Sequence, residues 1–374
     1  MLRIRLLKPS PTQVLIYDSL GLEFLQESIT NEFTVQYLNP REALPLVFRW
    51  SFLFKFISNY VNCRFRVRLA YLVALIDQFR PRVVLTYADT SPVPGEYGWT
   101  RPKTLVLSIQ NALRDTPSLS GICKAPVYFC FGLSTIQMFD TKKIPYQRMV
   151  VAGSLPLGIA LSRKPIGKHS KDLVFVSSYR VAFEDLDHLT TLYTRSQANG
   201  HECIFRNLLR YSQEYQLDLT VISKGKVRKE GEHFIEEERY FKRIASGQPF
   251  TLSSTTKNTL KSYDVALSAD IVVTLDSTLG YEMLGVGKKV LIGLGISETL
   301  SKERDHDIEH LPDEVLLTSK DYEHFKRKIN QLSRLTDEIY QTCIADCRSM
   351  YVDQNPEYPP QNRIYDEIKR HLAK

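Results

Sequence analysis

The chain of 374 residues carries 49 basic against 42 acidic side chains, a formal net charge of +7, with 43% hydrophobic and 24% charged residues. That length exceeds one comfortable core at roughly 100 to 200 residues per domain and predicts two domains, and the composition excludes extended disorder. The positive excess is mild and dispersed, so it accommodates an anionic ligand or an anionic membrane surface without calling for nucleic acid.

The opening "MLRIRLLKPSPTQ" has positive charge but lacks the apolar run and small-residue cleavage site of a signal peptide. The most apolar region, "ALPLVFRWSFLFKFISNYVNCRFRVRLAYLVALIDQF", is interrupted by Arg49, Lys55, Arg64, Arg66 and Arg68 and contains no uncharged stretch long enough to span a bilayer. Six cysteines without a CxxC pair read as free thiols of a reducing cytosol. A cytoplasmic location is expected, with a peripheral place at the inner membrane face as the alternative.

Short β-branched runs punctuate the first half: "VLIYDS" at 14–19, "FTVQYL" at 33–38, "VVLTYAD" at 83–89, "TLVLSIQN" at 104–111, "VYFCFG" at 127–132 and "MVVAGS" at 149–154. Continuous apolar runs of this kind are strands covered on both faces, as in a parallel α/β sheet. Between them, a helix around 45–58 carries Phe48, Trp50, Phe52, Phe54 and Phe56 with interleaved Arg and Lys. Buried packing is its commoner reading, and a membrane interface beside a lipid-linked acceptor is the other.

The polar segment "LSRKPIGKHSKD" at 161–172, with Pro165 and Gly167, marks the domain boundary. The expected division is an N-terminal domain over 1–165 and a C-terminal domain over 166–374. The second half repeats the rhythm with strands "LVFVSSYR", "LDLTVIS", "IVVTLDS", "KVLIGL" and "EVLLT", and with helices around 184–214, 232–246, 260–269 and 279–287. A long helix over 321–351 and a last one over 362–373 follow. The fold class is α/β: two doubly wound Rossmann-like domains, facing across a cleft lined by the carboxyl ends of both sheets.

The stretch "VVTLDSTLGYEMLGVGKKVLIG", 272–293, places Asp276, Ser277, Thr278 and Gly280 where a strand ends and a helix begins. Backbone amides and the positive end of the helix dipole make such a turn an anion site. Ser277 and Thr278 add hydroxyls, Gly280 lets a phosphate approach the backbone, and Glu282, about one turn on, could accept from ribose hydroxyls. An ordinary helix cap is the competing reading, although Tyr281 stands where a capping box around Thr278 would need Glu or Gln. A Walker loop is excluded by Val286 in the lysine position, and "GLG" at 293–295 is only a fragment of a dinucleotide fingerprint.

Taken in order, "PRVVLTYADTSP", "LVLSIQNALR", "VVAGSLPLG", "DLVFVSSYR" and the 272–293 stretch resemble the GT-B-type glycosyltransferases of bacterial surface-carbohydrate biosynthesis. The chain is similar to retaining transferases of 3-deoxy-manno-octulosonic acid (Kdo), which use CMP-Kdo. It is more distantly similar to capsule and glycerophosphate polymerases that share the Ser-Thr-x-Gly-x-Glu turn. The likeness covers about 80–295, and Ala112 stands where that group usually has Gly.

The resemblance implies a GT-B fold whose C-terminal domain holds a nucleotide-sugar donor and whose N-terminal domain holds a glycan or lipid-linked glycan acceptor. It implies Ser277 and Thr278 on the donor phosphate, Gly280 at its approach and Glu282 on the ribose. Glycosyl transfer also needs a stabilised leaving phosphate and an activated acceptor. Arg180, with Ser177 and Ser178, is the candidate for the first task and Asp89 for the second, while Gln110 and Asn111 project beside Asp89 and Arg114 neutralises an anionic substrate. A retaining mechanism would draw its nucleophile from Glu184, Asp185 or Asp187, with Glu184 preferred. His306 and His310 in "RDHDIEH" lack a third ligand and read as a solvated loop, so neither metal nor cofactor is expected. The rival readings are a phosphotransferase using a CDP-linked polyol, and a nucleotide-sugar-binding subunit without activity.

Overall fold

The computed structural model describes residues 4–6, 9–18, 21, 25, 29–41, 44–47, 49–64, 66–114, 121–163, 171–180, 183, 191–224, 232–254 and 260–374. The chain forms two compact units, Met1–Ile159 with Asn355–Lys374, and Ala160–Gln354. The boundary thus lies near the expected one, but the final helix, Pro360–Leu372, belongs to the first unit and not to the second. Its apolar face decides this, because Ile364 and Ile368 complete the core of the first sheet and Glu367 pairs with Arg148.

The first unit is built on a six-stranded parallel sheet of β2 (Val14–Tyr17), β3 (Val35–Leu38), β5 (Val83–Thr86), β6 (Leu105–Ile109), β7 (Val127–Cys130) and β8 (Arg148–Val151), in the order β3-β2-β5-β6-β7-β8. A separate parallel pair joins β1 (Ile4–Leu6) to β4 (Leu44–Leu46), strands that the sequence pattern did not disclose. Alternate residues of the central strands feed opposite faces of the sheet. Leu15, Tyr17, Val84 and Val106 pack against the helices Trp50–Asn62, Val67–Phe79 and Pro92–Thr100, whereas Val14, Ile16, Val83 and Leu85 meet Leu155, Ile364 and Ile368. Burial on both faces explains why these strands read as continuous apolar runs.

The second unit has five parallel strands, β9 (Lys171–Val176), β10 (Leu219–Ile222), β11 (Thr251–Ser253), β12 (Ala269–Thr274) and β13 (Lys289–Ile292), ordered β11-β10-β9-β12-β13. "EVLLT" is not a further strand: Asp313–Val315 is a 3-10 turn, and only Leu316 bridges to Ile292. The helix Leu192–Tyr215 buries Ile204, Phe205 and Leu208 and meets β9 through Phe205, which joins Phe175 and Phe241 in an aromatic cluster. The helix expected over 321–351 is three: Tyr322–Arg334, Asp337–Cys343 and Ala345–Tyr351. Leu335 is extended and Thr336 opens a new N-terminus by accepting from the Ile339 amide, which breaks the run.

Candidate functional site

In the strand order of each unit, one neighbouring pair has its connections leaving in opposite directions: β2 and β5 in the first, β9 and β12 in the second. Such switch points leave a crevice at the carboxyl ends of the strands. In the second unit Ser177 and Ser178 follow β9, while Asp276 and Ser277 follow β12.

Thr274, the last residue of β12, ties the two strand ends together. Its hydroxyl donates to the Val176 carbonyl at 3.3 Å and accepts from the Ser277 amide at 3.1 Å. Ser277 is thereby fixed as N-cap of the helix Thr278–Gly285, yet its own hydroxyl makes no capping hydrogen bond. Two opening amides are spent inside the chain, Ser277 on Thr274 and Gly280 on the Ser277 carbonyl at 2.9 Å. Gly280 has a packing role as well: a Cβ there would lie 2.4 Å from the Thr274 methyl, so its missing side chain lets the helix sit close on the strand.

Asp276 anchors the crevice. Its carboxylate accepts from the Ser178 hydroxyl, from Gln197 Nε2 at 2.6 Å, and lies 3.7 Å from the Arg304 guanidinium. Arg304 is only 7% exposed and also pairs with Asp307. Burial opposes ionisation of Asp276, but Arg304, Ser178, Lys224 and Gln197 outweigh it and hold the carboxyl below its ordinary range. Behind Ser177 stands His201, buried with Ser177 Oγ at 3.3 Å and the Tyr240 hydroxyl at 3.3 Å. Burial lowers its pKa to about 3, so the imidazole is neutral at physiological pH. Glu282 is 3% exposed, and the Tyr263 hydroxyl donates to both its oxygens at 2.9 and 3.0 Å.

Arg180 is exposed just past the β9 end, as expected, and Lys224 is exposed just past β10. Glu184, with Asp185 and Asp187, lies outside the described residues. The "RDHDIEH" stretch is not a solvated loop: it runs through a short helix, Asp305–Ile308, and buries Arg304 and Asp307. Among the described residues no cluster of His, Cys, Asp and Glu is placed to hold a metal ion.

In the first unit Asp89, Gln110, Asn111 and Arg114 do converge at strand ends. Asp89 is fully buried, however, and accepts from Arg114, from the Tyr128 hydroxyl at 2.9 Å and from the Asn111 amide at 3.3 Å. Burial pushes its carboxyl above the usual range against the pull of Arg114. Gln110 is turned inward as well, accepting from the Phe131 amide and the Thr135 hydroxyl. Asn111 donates to the Tyr87 carbonyl and accepts from Arg114. The set thus holds the loop after β6, with Asp89 as its buried anchor. Ala112 avoids the left-handed backbone region, so this loop does without the usual glycine.

The first unit also has a cavity of about 540 Å³ at its switch point, bounded by Asp18, Arg41, Arg66, Arg68, Ser91 and Val93. Asp18, in left-handed conformation after β2, pairs with Arg41 at 2.5 Å.

These two parallel sheets are shared with known structures. The UDP-GlcNAc 2-epimerase of Neisseria meningitidis bound to UDP-GlcNAc superposes with a TM-score of 0.57 at 12% identity, covering 96% of this chain and 99% of that one. Staphylococcus aureus MnaA with UDP gives 0.57 at 13% identity, covering 100% and 97%. The wall teichoic acid polymerase TagF gives 0.52 at 8% identity, covering 96% and 89%. The fold is GT-B-like. At these identities the likeness speaks for the GT-B-like architecture alone. Residues 142–311, which include the whole β9–β12 crevice, match a family described as "putative O-antigen biosynthesis protein". No curated protein matches the chain.

The sequence reading missed Gln197, His201, Tyr263 and Arg304. Only Arg304 carried a signal, as a cation between Glu303 and Asp305 in an acidic run, and its partner Asp276 is distant in sequence.

Proposed function

We propose that the protein is a glycosyltransferase of surface-polysaccharide biosynthesis that binds a nucleotide-sugar at the β9–β12 switch point. The observation that carries this reading is the Ser277 hydroxyl, left without a capping bond at a helix N-terminus that Thr274 and the Asp276–Arg304 pair hold in place. A phosphate there would receive Ser277 and Thr278 hydroxyls and the helix dipole, with Arg180 and Lys224 supplying positive charge from the ends of β9 and β10. Ser177 contributes through position: its hydroxyl caps the Tyr179 amide at 3.1 Å and keeps the Arg180 turn in shape. Glu282, held by the Tyr263 hydroxyl one turn into this helix, is the proposed partner of the ribose hydroxyls.

The acceptor, a glycan or lipid-linked glycan, would use the arginine-rimmed cavity of the first unit, with Arg66 and Arg68 meeting an anionic group. Glu184 remains the proposed nucleophile for a retaining reaction, and an acidic donor such as CMP-Kdo is the specific form of the proposal. The solved relatives whose names include UDP-GlcNAc, UDP and a CDP-linked ligand make the base an open variable of the test.

Calorimetry with UDP, CDP and CMP sugars tests the site. One of them should bind, and Ser277→Ala with Thr278→Ala should weaken it at least tenfold while the melting temperature stays put; unchanged affinity would reject the site. Product analysis of the bound donor then separates sugar transfer from polyol-phosphate transfer, epimerisation and binding without turnover.

A further inference from the structure

The helix Trp50–Asn62 is apolar on both sides, although it lies at the surface of the first unit. One side packs inward: Phe52 is buried and stacks with Phe56, and both meet Tyr71 of the helix Val67–Phe79. Asn59 closes this side by donating to Asp77, which Arg101 also holds. The opposite side carries Trp50, Leu53, Phe54, Ile57 and Val61, exposed by 79, 43, 70, 53 and 59%. At 3.6 residues per turn these five fall within an arc of about 100°. Buried packing therefore accounts for Phe52 and Phe56 but not for Trp50 and Phe54, and Phe48 lies outside the described residues. Val67, 58% exposed, extends the apolar surface to the wall of the Arg66–Arg68 cavity.

The charge contributed by this stretch of chain has one sign. From Ala43 to Ile76 the sequence holds no Asp or Glu but carries Arg49, Lys55, Arg64, Arg66 and Arg68. Lys55 is used internally, donating to the Asp77 carbonyl, and Arg66 pairs with Glu96. Arg49, Arg64 and Arg68 are exposed and have no carboxylate partner among the described residues. A contiguous apolar face flanked by uncompensated cations is what a surface that lies on anionic lipid requires. The apolar side chains enter the acyl boundary while the guanidinium groups stay with the phosphates. A water-facing helix gains nothing from such a stripe.

We infer that the Trp50–Val61 face and its arginine flanks dock the first unit onto an anionic bilayer surface. The occupant is lipid because the charge complementarity is diffuse: three separate cations without a carboxylate partner among the described residues suit a sheet of phosphates better than a second copy of this same positive face, which would repel itself. This inference goes beyond the donor site and does not depend on it, since nucleotide binding in the second unit is read in solution.

The full-length protein is to be sedimented with vesicles of phosphatidylcholine, with and without phosphatidylglycerol. It should bind the anionic vesicles, and added salt should weaken binding. With Trp99→Phe as background, Trp50 is the sole tryptophan, since the chain has 2, and its emission should shift to the blue on binding. Phe54→Glu with Ile57→Glu should reduce partitioning roughly tenfold or more, and Arg64→Gln with Arg68→Gln roughly fivefold per charge. All these side chains are exposed, so the melting temperature should not move. No binding to anionic vesicles, or binding that the Phe54/Ile57 variant leaves intact, overturns the inference. So does a concentration-dependent dimer that the same variant converts to monomer while vesicle binding is absent. Nucleotide affinity measured on that variant should equal that of the parent.

Discussion

The two switch points occupy equivalent places in their sheets and treat arginine in opposite ways. At β9–β12, Arg304 is enclosed between Asp276 and Asp307, and its charge is consumed in holding the turn before Ser277. At β2–β5, Arg66 and Arg68 stand on the rim of an open cavity, and Arg41 pairs with Asp18 while itself about half exposed. The same topological position thus yields a rigid internal frame in one unit and a solvent-facing charged mouth in the other. A charge buried with partners organises structure, whereas a charge left in water is available to a ligand.

The sharpest way to break this contrast is to remove the buried cation. Arg304→Met should destabilise the protein by about 3–5 kcal/mol in urea unfolding, because two buried carboxylates lose their counter-ion. If the loss is under about 1 kcal/mol, the frame is not what holds the turn.

His201 gives the next largest effect. Its folded pKa is depressed to about 3, below the ordinary value, so between those limits the unfolded chain binds a proton that the folded chain refuses. The stability from a neutral His201 is present at neutral pH and falls as pH drops below about 6.5, by about 1.4 kcal/mol per pH unit. Urea titrations at several pH values should show this slope in the parent and its absence in His201→Gln.

Gly280→Ala probes packing. Its methyl would collide with Thr274, costing about 1–3 kcal/mol, and Thr274→Ser should restore much of that by removing the methyl in the way. A loss of nucleotide affinity without loss of stability would instead point to phosphate access at Gly280. The smallest effect belongs to the other switch point: Arg68→Gln should change stability by less than about 0.5 kcal/mol, as expected of an exposed charge.

The contrast also shows where sequence reading succeeds. All strands of the two sheets except the edge strand β11 (Thr251–Ser253) were legible, because residues such as Val83–Leu85 and Val272–Val273 are buried on both faces and leave no polar alternation. The turn at Asp276–Thr278 was legible because Ser, Thr and Asp there follow a strand directly. Asp89, Gln110, Asn111 and Arg114 were placed at one end of the sheet, but the pattern of a strand end does not say whether a side chain turns inward, as Asp89 and Gln110 do. The last helix was assigned to the wrong unit because its apolar face at Ile364 and Ile368 fits any sheet of suitable curvature.

By itself, then, the chain's order of apolar runs and turn residues determined two parallel α/β sheets and the strand-to-helix turn at Asp276–Thr278, because local burial and local backbone preference leave their mark on neighbouring residues. Only the tertiary structure decided that Arg304 neutralises Asp276, that Gly280 makes room for Thr274, that the C-terminal helix returns to the first sheet, and that one side of the Trp50 helix meets solvent. Each of these depends on which distant groups share a low-dielectric space, and no spacing along the chain records that.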